Sequence, residues 1–219
     1  EKLSNIARDM DVLVTLRIRP GQFQIEHQVI AEIHGDADLD EQRRDEIGDC
    51  IVSAGLRTPT QDNDFLADEL VEIALRALSP GINDPITAVI AMEWLGAAFS
   101  LMASTDEPCS YRGTEDGDFR LYVPDRPIGV YLEQTFGRIR QFAAKNVRAA
   151  EGQLRSLALA AVASTDNEDA MALLNVEAKR LVDQAMLSLK GPDLQSLQAV
   201  AEQFDRALAA RPIAMDEFA

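Results

Sequence analysis

The chain begins with an alternating pattern and then settles into a helical one. Within Asp11–Arg19 the apolar residues Val12, Val14, Leu16 and Ile18 alternate with polar neighbours, the period of a half-buried strand. Pro20-Gly21 marks a turn, Gln28–His34 reads as a second strand, and Glu1–Asp9 suits a short helix before them. Beyond the strands, Asp40–Ala54 predicts a helix with Ile47, Ile51 and Val52 inward and Gly55 as its stop. Arg57–Asp64 is a polar loop. Asn63 or Asp64 then caps a helix whose face is Phe65, Leu66, Leu70, Ile73, Ala74 and Ala77.

Pro85–Ser104 is apolar except for Glu93 and a few small polar residues. It reads as the most buried helix of the bundle, with Ile86, Val89, Ile90, Leu95, Phe99 and Leu101 or Met102 in the core. A membrane span is the lesser reading, because Glu93 would sit mid-bilayer. Cys109–Val123 returns to a strand period as a hairpin turning near Glu115-Asp116-Gly117. From Pro127 the pattern is helical over Ile128–Ala144, Asn146–Ala163, Asn167–Leu189 and Asp193–Ala210. The fold class expected is α+β, predominantly α: a small β-hairpin element over residues 1–35 and a mainly helical domain over 36–219, with the Cys109–Val123 hairpin a candidate to join the first β element.

The densest run of backbone-determining residues is Ser79–Pro85. Pro80 cannot extend the preceding helix and biases Ser79 away from helical dihedrals. Gly81 allows a turn, while Asp84 followed by Pro85 is a capping residue with proline at the first helical position. The run reads as helix, rigid corner, helix.

A net charge of −16 opposes nucleic acid as a partner, since a phosphate backbone would be repelled. The acidity is uneven. Asp36–Glu72 holds twelve acidic residues against three arginines, whereas Arg126–Arg155 holds six basic against two acidic, so the second segment is expected to face the first. Two cysteines are too few for a disulfide framework and fit a reducing compartment. The chain begins at Glu1 rather than Met and reads as a fragment or a processed chain, with nothing at its start like a signal peptide.

Candidate chemistry is sparse. His27, His34, Cys50 and Cys109 lack metal-ligand spacing, and Asp62-Asn63-Asp64 lacks the glycine and terminal glutamate of a calcium loop, so no metal or cofactor is assigned. Ser79 has no glycine-flanked elbow and no base placed by sequence, so no catalytic residue is assigned either. Arg76 lies on a largely apolar helix one turn before the corner and needs a partner, with Asp84 or the helix-end carbonyls in reach. It is read as a structural brace or as part of an anion site. The latter would join Arg76, Ser79, Asn83, Asp84, Thr87 and Arg140 around the start of the second helix.

Two resemblances add to this. RIRPGQFQIEHQVIAEI resembles one hairpin of a biotinyl- or lipoyl-type barrel but contains no modifiable lysine, so it carries over a β-shape and no cofactor. More specifically, Arg57-Thr58-Pro59, Gln61-Asp62, Phe65 and the run LVEIALRALSPGINDPITA resemble the signature of a bacterial family of predicted membrane proteins, domain of unknown function 2254. The resemblance extends upstream to RPGQF and downstream to QTFGRIRQFA (Gln134–Ala143), where Ile139-Arg140-Gln141 match; Gln24–His27 departs from it. It implies a polytopic membrane protein of which this is the soluble C-terminal portion; the cytoplasmic rather than the periplasmic side is a separate expectation. The implied partner is its own transmembrane region, and a homo-oligomer is expected besides. It implies no reaction. The leading expectation is an extramembrane domain that assembles or regulates a membrane protein, and the alternative is a small-anion sensor or enzyme at the Ser79–Pro85 corner.

Overall fold

Leu13–Leu16 (β1) pairs on both of its edges. On one side it runs antiparallel to Ala31–His34 (β2), with Leu13 opposite His34 and Leu16 opposite Ala31. On the other it runs parallel to Phe119–Tyr122 (β4), with Val14 opposite Leu121. Tyr111–Gly113 (β3) lies antiparallel to β4, giving one mixed sheet in the order β2-β1-β4-β3. The computed structural model describes residues 2–36, 39–60, 62–105, 110–113, 118–124 and 126–209. The turn expected near Glu115-Asp116-Gly117 and the thiol of Cys109 lie outside them.

The chain forms two compact units, Glu1–Phe65 with Glu107–Arg126, and Leu66–Asp106 with Pro127–Ala219. In the first, helix α1 (Lys2–Asp9) covers the sheet with Leu3 and Ala7, which pack with Val12, Val14 and Leu121. Helix α2 (Glu41–Gly48) adds Ile47 and is capped by Asp40, whose side chain accepts from the Arg43 amide at 2.8 Å. It ends well short of Gly55. Val52 is therefore exposed rather than inward, because the helix stops before reaching it. Helix α3 (Asn63–Ala77) starts from Asp62, not from Asn63 or Asp64: the Asp62 carboxylate accepts from the Phe65 amide at 3.1 Å and from Arg57 Nε at 2.7 Å. Gly21, at φ 75°, brings the Pro20-Gly21 turn against that same carboxylate, where a β-carbon would have no room.

In the second unit the central helix is α7 (Val147–Val162). Nine of its sixteen residues are buried, against seven of twenty in α4 (Pro85–Ser104), so α4 is not the most buried helix. The reason is composition. Ala149, Ala150, Gly152, Ser156, Ala160 and Ala161 let neighbours approach α7 on several sides. A β-carbon on Gly96 would lie 3.1 Å from the Ser156 carbonyl, and one on Gly152 would overlap Val89, so α4 and α7 cross at glycine distance. Leu95 and Phe99 are in the core as expected, together with Ala88, Ala91, Met92 and Ala103. Val89 is half-buried, and Ile86, Ile90, Leu101 and Met102 are exposed, which corrects their expected place in the core.

The expected Ile128–Ala144 helix is broken in its middle: α5 (Ile128–Leu132) and α6 (Arg138–Ala143) flank a π turn, Glu133–Gly137. Helix α8 (Glu168–Met186) is capped by Asn167, which accepts from the Ala170 amide at 2.9 Å and donates to the Ala103 carbonyl at 3.0 Å, tying its start to the end of α4. Gly191, at φ 58°, precedes α9 (Pro192–Ala209), which opens on proline. The described residues are predominantly helical, with one small sheet. The basic segment does meet the acidic one: Arg126 pairs with Asp64, and Arg138 pairs with Asp68 and Glu72 at 3.0 and 2.9 Å.

Candidate functional site

The corner between α3 and α4 is closed by its own backbone. Past Ala77 the Asn83 amide donates to the Ser79 carbonyl at 2.9 Å, and the Asp84 amide reaches back to Ala77 at 2.8 Å. Asn83 takes φ 49°, the left-handed region that asparagine tolerates better than most residues. Ser79 Oγ donates to the Arg76 carbonyl at 2.7 Å, sealing the end of α3. Asp84 caps α4 fully: one carboxylate oxygen accepts from the Ile86 and Thr87 amides at 3.2 and 3.1 Å, the other from Thr87 Oγ1 at 2.6 Å. The Thr87 hydroxyl, then the two amides, hold this carboxyl below the usual aspartate range. Asn83 Oδ1 accepts from Asn146 Nδ2 at 3.3 Å, so the corner is tied to the cap of α7.

Ser79, Asn83, Asp84 and Thr87 are thus brought together; Arg76 and Arg140 are not. The Arg76 side chain is exposed, and no described residue gives its guanidinium a hydrogen bond or an ion pair. Ala74 and Ala77 take the inward side of α3, and at about 100° per residue Arg76 is turned away from them. An anion arriving at the start of α4 would meet amides already bound to the Asp84 carboxylate.

Arg140 belongs to a second polar cluster, at the π turn. Its guanidinium reaches Glu177 of α8 and lies 3.5 Å from Glu133, which also accepts from Arg180 at 3.0 Å. Glu177 is 2% exposed. Burial pushes its carboxyl up to about 7, against the opposing pull of Arg140. From α7, Gln153 donates to the Phe136 carbonyl at 3.2 Å and to Glu177 at 3.4 Å. Glu133, Gln153, Glu177 and Arg180 were not legible as site residues. They come from three separate segments, and the one local signal is a glycine, Gly137, one turn after a glutamate. Among the described residues no group of three or more His, Cys, Asp or Glu could hold a metal. A cavity of about 130 Å³ between α7, α8 and α9 has a floor of Leu154, Ala178, Val182, Ala201 and Phe204, and none of the residues of either polar cluster lines it.

Residues 1–158 match the profile of the family described as Predicted membrane protein (DUF2254). The chain belongs to that family. Within DUF2254 the matched stretch takes in the sheet, the corner, the π turn and most of α7. It is similar to the uncharacterized protein Mb1321c of Mycobacterium bovis, 36% identical over 89 residues. It is equally similar to the uncharacterized protein Rv1290c of Mycobacterium tuberculosis. In each case the match covers 41% of this chain and 17% of the relative, so the chain spans a small part of the curated relatives it matches. No solved structure matches it. Among the described residues α4 is long and apolar enough to cross a membrane by length and composition.

Proposed function

We propose that this chain is an extramembrane domain of a DUF2254 membrane protein and that it serves assembly, pairing with a second copy through the outer face of α4. The observation that carries this is the surface of α4. Ile86 (65% exposed), Ile90 (51%), Trp94 (65%) and Leu101 (70%) form one stripe along the helix, filled in by the exposed Ala97 and extended by Ile82 at the corner. Steps of three and four residues keep these positions on one side of a helix. Glu93, the only charged residue of α4, falls at the stripe's edge. Five large apolar side chains stand more than half exposed along it, a contiguous apolar patch of the kind that marks an interface.

A bilayer is the poorer occupant. The other side of α4 packs on α7, which carries the exposed charges Arg148 and Arg155, and lipid around α4 would strip water from such neighbours. A second copy fits better for two reasons. With a net charge of −16 two copies repel one another over most of their surface, and the α4 stripe is a nearly neutral place to meet. The stripe is also self-complementary. About a two-fold axis near Trp94, an antiparallel partner sets Ile86 and Ile90 opposite Ala97 and Leu101. Attachment to a membrane raises the effective concentration of such copies. The free thiol of Cys50 suits the reducing cytoplasmic side.

Sedimentation equilibrium of the 219-residue chain tests the reading, together with fluorescence of Trp94, the sole tryptophan. A dimer is expected, with Trp94 emission shifting to the blue as concentration rises. Trp94→Glu should yield a monomer with unchanged circular dichroism. A wild-type chain that stays monomeric, or a Trp94→Glu variant that stays dimeric, overturns it. Co-flotation of monomers with neutral liposomes would give the face to lipid instead.

A further inference from the structure

We infer that Glu133, Arg140, Gln153 and Glu177 form a proton-operated latch on the π turn: a proton on Glu177 releases Arg140 and loosens the α5–α6 segment from α8. This is independent of the α4 face. A π turn widens the helix and displaces carbonyls from their ordinary amide partners, so it persists where other groups stabilise it. Here side chains do so. Thr135 Oγ1 donates to the Tyr131 carbonyl at 2.7 Å, and Gln153 Nε2 donates to that of Phe136 at 3.2 Å. Gly137 leaves room for Glu133 to fold over the turn, since a β-carbon there would lie 2.8 Å from the Glu133 carboxylate. Arg140 then ties the turn across to Glu177.

Each protonation state satisfies a different buried group. With Glu177 ionised, its carboxylate holds Arg140, while Gln153 Oε1 is buried and accepts no hydrogen bond from any described residue. With Glu177 protonated, the acid becomes an O–H donor, and the acceptor beside it is that Gln153 amide, whose nitrogen is already 3.4 Å away. A rotation of the amide lets the acid donate to Oε1. The proton comes from solvent and stays on Glu177. Arg140 keeps its charge and turns toward Glu133 and water.

The charged groups acting on Glu177 are Arg140 from α6, Glu133 from the π turn and Arg180 from its own helix; α7 presents the neutral Gln153. Helices α5 and α9, which also pack on α8, send it no charge that shifts it. The ionised cluster is neutral, two carboxylates against two guanidiniums, and protonation leaves it with one positive charge in excess. Burial places the transition near pH 7, at about the value the Glu177 carboxyl reaches.

Amide hydrogen exchange of the 219-residue chain, corrected for the intrinsic effect of pH, reads the latch directly. Protection across residues 133–143 should fall roughly tenfold between pH 8.5 and pH 5.5, the loss expected for one charge-assisted tie, while the amides of β1 stay unchanged. Glu177→Gln should show the low protection at both pH values. Flat protection in the wild type, or a step that survives Glu177→Gln, overturns the inference. Should that variant not fold, carbon NMR of labelled glutamate carboxyls in the wild type decides. One resonance titrating near pH 7 supports the latch, and none titrating above pH 6 overturns it.

Discussion

Val89 of α4 occupies the place where a β-carbon on Gly152 of α7 would stand. This contact sets how closely the two helices cross. A glycine inside a helix normally costs about 1 kcal/mol relative to alanine, so Gly152→Ala would stabilise an open site. Here the branched valine cannot fold away, and overpacking costs about 1–3 kcal/mol, which wins. Gly152→Ala is expected to lower the urea midpoint, and adding Val89→Ala to recover part of it in a double-mutant cycle.

The two sides of α4 should respond differently to truncation. Phe99 is fully buried against Tyr131, with ring centroids 6.4 Å apart, and Phe99→Ala should cost about 3–5 kcal/mol. Ile90→Ala, on the outer stripe, should leave the stability of the monomer within about 0.5 kcal/mol while weakening self-association. Chemical denaturation at low concentration measures the first effect, and sedimentation the second.

Gly21 makes a matching point in the other unit. Its positive φ and its closeness to Asp62 forbid a side chain on two grounds. Gly21→Ala should destabilise by more than about 1 kcal/mol. The loss should appear as faster amide exchange at Val14, with α7 unaffected. Equal loosening of both units would show that the contact with Asp62 is not what the glycine protects.

Two carboxylates give stability opposite slopes with pH. The Glu177 carboxyl, raised from 4.5 to about 7, binds its proton more tightly in the fold. Measured against the unfolded chain, its contribution is therefore full below pH 4.5 and is lost as pH rises through about 7; release of Arg140 is a separate, local step that leaves Glu177 buried against Gln153 and removes the charge opposing its proton. The Asp84 carboxyl is lowered from 3.8, so its contribution is present above that value and is lost as pH falls through its folded value. Denaturation midpoints against pH should lose the neutral-range slope in Glu177→Gln and the acid slope in Asp84→Asn. A slope unchanged by its own substitution refutes that assignment.

Several features were fixed by local chemistry and could be read without the fold. The Asp84-Pro85 start of α4, the helix starts at Asn146 and Asn167, the strand alternation around Val14 and the family signature all depend on neighbours within a few residues. Ser79, Asn83, Asp84 and Thr87 belong to one stretch, so their meeting was legible too. What the sequence left open depends on partners far along the chain. The helical period of α4 is the same whether one side or both sides are covered, and only the position of α7 decides that Phe99 is buried and Trp94 is not. The parallel pairing of β1 with β4 joins strands separated by the helices of the second unit, and no local pattern encodes it. Read along the chain, Arg140 is a candidate for the anion site at the Ser79–Pro85 corner. It becomes half of a buried pair because the π turn and α8 bring Glu177 beneath it, a meeting of residues thirty-seven positions apart that tertiary packing alone could arrange.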